Sequence, residues 1–238
     1  MRDLISFRDG ETIPLAGGPE ELAGGSLTVR GRSCELSHRR LSSTRQAQEL
    51  VERLRLAARV PGALTLPPEA AAADGSEVVC AFRARRGAEL RSALRLVPLT
   101  LEQASLLGEG LLAALAALHR RGVVQDRLDA ELVLLGPDGR LRLAEPGFWA
   151  PLEARPPGRD LELAGRLLER ILDSVTGAAH RDGSAISQLR SVAEGLGAAD
   201  GAAAAAPALA AWRSALPLDP RQRQRVRRQL GALGASLP

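Results

Sequence analysis

The sequence lacks lysine, asparagine and tyrosine entirely, and it contains only two cysteines, two tryptophans and three phenylalanines. The 32 residues counted as lysine or arginine are therefore all arginines, beside three histidines. Because Cys34 and Cys80 are the only cysteines, and no histidine lies at metal-ligand spacing from them, neither a disulfide framework nor a metal site is expected. The scarcity of aromatic residues and the lack of a zinc pattern or a confined basic stripe argue against nucleic-acid binding.

Charge and hydropathy together predict a soluble, cytoplasmic protein. The formal net charge is only +4, and the pI of about 10.5 is high because no lysine or tyrosine titrates below arginine. The most apolar run, Leu106–Leu118, is interrupted by Gly108, Glu109 and Gly110 and is too short to span a bilayer. The first residues contain no signal-peptide core. We therefore expect no membrane insertion.

The most informative stretch lies in the middle of the chain. Leucine recurs at helical spacing in Leu111–His119, and the following Arg120–Gly122 is typical of a helix end. A short apolar run, Leu132–Leu135, precedes a turn sequence at Gly136–Gly139 and a second alternating run at Leu141–Leu143. The stretch thus predicts a helix, a loop and a small hairpin, in that order.

This order resembles the centre of the C-terminal lobe of the protein kinase family. Leu118–Val124 (LHRRGVV) is similar to the end of the helix that leads into the catalytic loop. Gln125–Leu132 then stands where the family has His-Arg-Asp-Leu-Lys-Pro-Glu-Asn, and Ala144–Gly147 stands where it has Ala-Asp-Phe-Gly. The spacing matches without a gap.

The resemblance implies an α+β, two-lobed protein kinase-like fold. It places a small β-rich N-lobe at residues 1–84, with an antiparallel sheet and one helix at 42–59. A mainly helical C-lobe follows at 85–238. Within the C-lobe, 125–132 is a degenerate catalytic loop and 145–159 is a shortened activation segment.

The residues that carry phosphoryl transfer in this family are altered. The transfer needs a carboxylate base and oxygen ligands that hold Mg²⁺ against the phosphates. The position of the base holds Arg127, a permanent cation, and the position of the asparagine ligand holds Leu132. The metal-binding aspartate is replaced by Glu145. Asp126 and Asp129 flank the loop, but both are out of register with the base.

The phosphate-binding groups of the N-lobe are also missing. The family's lysine cannot be present in a chain without lysine, and Ser37 or His38 lies near its position. Glu49 or Glu52 corresponds to the helix glutamate that would hold the lysine, and a surface pair of Glu49 with Arg53 is the alternative interpretation. No run of glycines has the spacing of the family's phosphate loop.

The hinge between the lobes is the one place where the resemblance leaves room for a nucleotide. Phe82–Gly87 (FRARRG) falls where the family's hinge joins the two lobes. Backbone groups of the hinge hold the adenine in the family, and the possible contacts here are Cys80, Ala81, Phe82 and Arg83. These residues are the candidate nucleotide contacts. Since the phosphate-binding groups are missing, we expect no cofactor and regard ATP binding as disfavoured.

Three residues match structural positions of the family. His119 belongs to its Leu-His motif, and Asp160 matches the aspartate that accepts backbone hydrogen bonds from the catalytic loop. Asp160 should therefore tie residues 125–127 to the core, although an N-cap role for its own helix is an alternative. Arg223 matches the arginine of a late Asp-Pro-x-x-Arg motif, and Glu153 is its nearest candidate partner in chain order.

The N-terminal third is predicted to be a sheet. Leu27–Arg32 and Cys34–Leu41 have the pattern of two strands, and Ala63–Leu66 and Glu77–Phe82 have that of a second pair around a turn at Asp74-Gly75.

The remaining elements are predicted as helices. Thr100 and Gln103 form a capping box at the start of a long helix over Leu99–His119. Near the C-terminus, Ala185–Leu196 is predicted to be helical, and the low-complexity stretch Gly197–Ala211 is predicted to be a flexible linker or a frayed helix.

The altered residues predict a catalytically inactive pseudokinase that binds a protein partner as an adaptor or allosteric regulator. One alternative is an atypical nucleotide-binding transferase in which Glu145, with Asp126 or Glu131, holds a metal. Another is a structural subunit of a larger assembly. Arg127 should pair with Glu145 or Asp129 in a partly enclosed cleft, so that Arg127→Ala would destabilise the fold.

Overall fold

The computed structural model describes residues 3–14, 25–29, 31–152, 157–176, 183–198 and 205–237. Over these ranges the chain is an α+β protein with nine strands in two sheets and seven helices. The strands are β1 (Asp3–Ser6), β2 (Thr12–Pro14), β3 (Ser26–Val29), β4 (Arg32–Arg40), β5 (Pro68–Asp74), β6 (Glu77–Arg83), β7 (Ala88–Glu89), β8 (Val133–Leu135) and β9 (Leu141–Leu143). The helices are α1 (Thr44–Ala57), α2 (Leu90–Leu96), α3 (Leu101–His119), α4 (Gly158–Asp173), α5 (Gly183–Ala198), α6 (Ala205–Ala215) and α7 (Pro220–Ser236).

The larger sheet has six strands in the order β2-β1-β5-β6-β4-β3, and every neighbouring pair is antiparallel. Helix α1 packs against one face of this sheet through the buried Leu50 and Leu54, which meet Phe82 of β6. Their spacing of four residues gives the helix one apolar face. The predicted helix at 42–59 is confirmed within two residues at each end, and Ser43 caps its N-terminus.

The position of one predicted strand is wrong. The turn at Asp74-Gly75 is present, but the strand that precedes it is β5, whereas Ala63–Leu66 lies in the loop before β5. Asp74 pairs with Glu77, so the hairpin loop has only two residues and the strand must adjoin it. The strand therefore contains the alanine run Ala70–Ala73, which has little intrinsic strand preference.

The second half of the chain is built around α3. This helix begins with the predicted capping box, in which Thr100 accepts a bond from the Gln103 backbone N–H and the Gln103 side chain accepts one from the Thr100 N–H. Among the described helices, α3 alone is long and apolar enough to cross a membrane, but 72 % of its most apolar window is buried inside the fold. The apolar character of α3 is accounted for by its place in the core, where it packs against α4, α6, α7 and β9.

The C-terminal helices correct one prediction and leave another untested. Residues 205–211 of the stretch predicted to be a flexible linker or a frayed helix belong to the regular helix α6, in which Trp212 is fully buried and its indole donates to the Ser105 carbonyl (2.8 Å). Residues 199–204 of that stretch lie outside the described residues. Arg223 pairs with Glu109 of α3 (2.5 Å), which also pairs with Arg213 (2.9 Å). Glu153, the predicted partner of Arg223, lies outside the described residues.

The predicted small hairpin is confirmed as β8 and β9, which join β7 in a three-stranded sheet. The turn contains Gly139 at φ +70°, where a Cβ atom would lie 1.9 Å from the Arg227 carbonyl oxygen, so that only glycine fits. The loop before β5 is tied to this hairpin, because Leu66 N–H donates to Leu143 O (2.8 Å) and Leu143 N–H donates to Leu64 O (3.0 Å). These bonds connect the two halves of the chain.

Candidate functional site

The candidate site is the junction of the 125–132 loop, the segment that begins at Glu145, and strand β4. Asp160 of α4 fixes the 125–132 loop through hydrogen bonds to the loop backbone. Its carboxylate, 1 % exposed, accepts hydrogen bonds from the backbone N–H groups of Gln125 (2.8 Å) and Asp126 (2.5 Å), and it lies 2.7 Å from His119 Nε2. The predicted bonds from Asp160 to the backbone of the loop are present, and His119 joins them.

Asp160 is not an N-cap. Pro157 occupies that position, and Asp160 lies inside the first turn of α4. The helix still benefits from a negative charge at its N-terminal end. The carboxylate is nevertheless turned toward the loop, where it accepts from the buried Gln125 N–H and from the part-buried Asp126 N–H.

Gln125 connects the loop to the segment after β9. Its side chain donates to the Ala144 carbonyl (3.3 Å) and accepts from the Gly147 N–H (3.1 Å). Because Gln125 is 1 % exposed, both bonds are shielded from water. Asp126 and Glu145 both have positive φ, 53° and 47°, so each of these two segments makes a turn that most side chains disfavour.

Glu145 lies at the centre of a group of paired polar side chains, the Glu145 cluster, which consists of Ser37, Arg85, Glu145 and Trp149. Ser37 Oγ donates to Glu145 Oε1 (2.7 Å), and the Trp149 indole donates to Glu145 Oε2 (2.5 Å). Arg85 Nη2 lies 3.6 Å from Oε1. Arg85 also donates its backbone N–H to Glu35 (2.9 Å). Both oxygens of Glu145 are therefore engaged by side chains of the protein itself.

Of the residues predicted near the family's lysine, the structure brings only Ser37 to this site. His38 lies 4.0 Å from Glu77 instead. Glu49 is on the exposed side of α1 and pairs with Arg45 (2.9 Å), not with the predicted Arg53. Arg53 instead donates to the Ala150 carbonyl (3.0 Å).

These residues do not fit a metal-bound nucleotide. Leu132 has no ligand atom and is buried in an apolar cluster with Leu66, Leu134 and Ala144. Glu145 would have to release its three partners before it could coordinate a cation. Within the described ranges, no group of three or more His, Cys, Asp or Glu side chains could hold a metal ion.

Arg127 pairs with Asp129 (2.8 Å), which is one of its two predicted partners, and lies 5.8 Å from the centre of the Trp149 ring. The expected enclosure is wrong, because the Arg127 and Asp129 side chains are 48 % and 56 % exposed. The expectation that Arg127→Ala destabilises the fold is therefore wrong for this geometry, because an exposed pair contributes little stability.

We expect Arg127→Ala to change the free energy of unfolding by less than about 1 kcal/mol, since exposed ion pairs and exposed cation–π contacts each contribute little. Urea denaturation of the variant beside Arg95→Ala, which removes another exposed arginine, measures this directly. A loss of more than about 3 kcal/mol would mean that Arg127 balances a buried carboxylate after all.

The segment after Glu145 is attached to the larger sheet and to α1. Phe148 is fully buried in edge-to-face contact with Phe82 (5.5 Å between centroids). The Ala150 carbonyl accepts bonds from Arg39 of β4 and Arg53 of α1, both 3.0 Å, and Arg39 also donates to the Phe148 carbonyl. Burial lowers the pKa of both guanidiniums. The segment therefore fixes α1 against the second half of the chain.

The predicted nucleotide contacts lie inside a strand. Cys80, Ala81 and Phe82 are buried in β6, which is paired with β4 on one edge and β5 on the other. Their backbone N–H and C=O groups are used in pairing with these two strands. Arg83 ends the strand with its N–H bonded to the Pro67 carbonyl (3.2 Å). Burial, together with the nearby Glu145 charge, raises the pKa of the Cys80 thiol.

The sequence did not assign Arg85 or Trp149 to this site, and for Gln125 it indicated only the backbone contact and not the two side-chain bonds. Arg85 and Trp149 have no local pattern that assigns them to Glu145, which is distant from Arg85 in the chain. Gln125 did have a signal, because it occupies the first position of the loop motif. A polar side chain there, next to a buried carboxylate, indicates an internal hydrogen-bond partner.

No protein-family model matches the chain, and no curated protein matches it either.

Proposed function

We propose that this chain is a pseudokinase with a protein kinase-like, two-lobed fold, which acts by binding a protein partner as an adaptor or allosteric regulator. The observation that carries the proposal is the self-pairing of the Glu145 cluster. Glu145 stands where kinases have their metal-binding aspartate. Both of its oxygens are already paired, with Ser37, Trp149 and Arg85. A protein with this arrangement works through its surfaces rather than by phosphoryl transfer.

Two further contacts support the kinase-like interpretation. The carboxylate of Asp160 bonds the backbone of the loop that resembles the catalytic loop, at the two residues Gln125 and Asp126. Ser37, near the lysine position, meets Glu145 across 108 residues of sequence. We accordingly propose an N-lobe over residues 1–84 and a C-lobe over 85–238, and a cytoplasmic location with no nucleic-acid partner.

The segment after Glu145 supports a regulatory rather than a catalytic use of the fold. Arg39 and Arg53 hold the Ala150 carbonyl, and Phe148 is buried under α1. These contacts attach the helix to the segment after Glu145 through side chains of the protein itself. A partner would recognise a preformed surface, which lowers the entropic cost of association.

The alternative transferase is less favoured, because Glu145 is engaged and the carboxylate of Glu131 pairs with Arg91. A structural subunit remains the other alternative, and co-purification with one partner at fixed stoichiometry would favour it.

Turnover of labelled ATP tests the proposal against the transferase. We expect the pure chain, with Mg²⁺ or Mn²⁺, to transfer no γ-phosphate to itself or to water above the level of Glu145→Gln, because the carboxylates of Glu145, Glu131 and Asp129 are each paired with other side chains. A rate in the parent that Glu145→Gln abolishes would contradict the proposal and favour the transferase.

A further inference from the structure

A cavity of ≈ 440 Å³, which we call the arginine cavity, opens where the β3–β4 turn, the end of β6, the loop before β5 and the β8–β9 turn meet. Its wall includes Arg32, Arg83, Arg86 and Arg142, and among the described residues only one carboxylate, that of Asp138, lines it. No member of the Glu145 cluster lines it. A concave site of this size, lined by four separate segments, has the dimensions of a small-molecule site.

The positive charge of this cavity is only partly neutralised. Arg83 donates Nε (3.1 Å) and Nη2 (2.5 Å) to Oε1 of the buried Glu69, and Arg32 donates to the same oxygen (3.1 Å). Arg8 also lies 3.8 Å from this carboxylate. Three guanidiniums thus share one negative charge.

The remaining arginines differ from each other. Arg142 is satisfied by two bonds to Asp138 (2.9 and 2.6 Å) and one to the Gly62 carbonyl (3.1 Å). Although burial raises the pKa of Asp138, the bonds with Arg142 outweigh it and the pKa lies below its ordinary value. Arg86, by contrast, has no hydrogen bond or ion pair with any residue that the structure describes. All the N–H donors of its guanidinium are therefore available for a ligand at the edge of the cavity.

We propose that the arginine cavity binds a small anion that carries at least two phosphate or carboxylate groups. Among the described residues, the four lining arginines have two carboxylate partners, Asp138 of the wall and the adjacent Glu69. Arg8 and Arg140 also lie 3.8 Å from these carboxylates, so at least two positive charges are left over. The planar fork of a guanidinium matches the geometry of both oxyanions, and Arg86 is free to offer it. Ser33 adds a hydroxyl to the wall. This site is independent of the Glu145 cluster and of the proposed pseudokinase function.

Isothermal titration calorimetry at low ionic strength tests the proposal, with inorganic pyrophosphate and citrate as the two probes. Pyrophosphate binding alone would assign a phosphate-bearing ligand and citrate binding alone a carboxylate-bearing one, and either supports the proposal. We expect Arg86→Gln to weaken binding of the preferred probe by about tenfold or more, since a charge-assisted hydrogen bond is lost. The variant should fold, because Arg86 is exposed and unpaired among the described residues.

Arg95→Gln is the matched control, because it removes one charge from an exposed arginine in the last turn of α2. It should leave the affinity for the probe unchanged, and added salt should weaken binding in the parent. The proposal is overturned if neither probe binds the parent, or if Arg86→Gln and Arg95→Gln weaken binding equally, which would indicate only unspecific attraction to a basic surface.

Discussion

Replacing Asp160 with alanine should lower the free energy of unfolding by about 3–5 kcal/mol. The carboxylate is almost fully buried and bonds the backbone N–H groups of Gln125 and Asp126 as well as His119. Its removal leaves two backbone donors without a partner in a place that water does not reach easily, and it leaves a small cavity. Urea denaturation followed by circular dichroism gives the difference.

Two variants make the test of Asp160 specific. Asp160→Asn keeps the size and one acceptor oxygen but turns an NH₂ group toward a donor, so its stability should lie between those of the parent and the alanine variant. Asp129→Ala removes an exposed carboxylate from the same loop and should cost less than about 1 kcal/mol. If Asp160→Ala were as stable as Asp129→Ala, the loop would be held by something other than this carboxylate.

Phe148→Ala should cost about 3–5 kcal/mol, the usual range for removing a buried aromatic ring. Phe148 is fully buried and makes edge-to-face contacts with Phe82 and Trp149, whose ring centroids lie 5.5 and 4.9 Å away. It also belongs to the cluster of Leu50 and Leu54, so α1 should loosen from the second half of the chain. Faster hydrogen exchange in α1 would report this loosening.

Phe148→Leu serves as a partial rescue, because it restores apolar volume without the ring contacts, and Leu96→Ala serves as a control at a side chain that is 62 % exposed. We expect the leucine variant to recover more than half of the loss and the control to be close to the parent. A Phe148→Ala variant whose α1 exchanges as slowly as that of the parent would show that the segment after Glu145 does not fix the helix.

The parts of the fold that follow from local patterns were predictable. The capping box at Thr100 and the turn at Gly136–Gly139 each depend on side chains that act within four residues of themselves, so the sequence alone specifies them. The β5 strand was misplaced because Ala70–Ala73 has no strand preference of its own. Its pairing with β6 and its burial under α1 decide its conformation.

Contacts in the candidate site could be predicted where a motif with fixed spacing assigns the residue. They could not be predicted where an ion pair joins residues that are distant in the sequence. Asp160 could be assigned to the loop backbone because the motif around it fixes the geometry. The partner of Arg223 could not be assigned, because Glu109 lies 114 residues away and several carboxylates were equally plausible. The same applies to Arg85, whose contact with Glu145 depends on how the two halves of the chain are packed.

Thermal melting of the pure protein with ATP, in Mg²⁺ or in EDTA, tests most directly whether the Glu145 cluster excludes a metal-bound nucleotide. Any ligand that binds only the folded state raises the midpoint, and ATP at about 100 times its dissociation constant would add about 2.7 kcal/mol. The measurement should include Arg86→Gln, so that a phosphate bound in the arginine cavity is recognised by its loss in that variant. We predict no shift that requires Mg²⁺. A Mg²⁺-dependent rise that survives Arg86→Gln but disappears in Glu145→Gln would contradict the account.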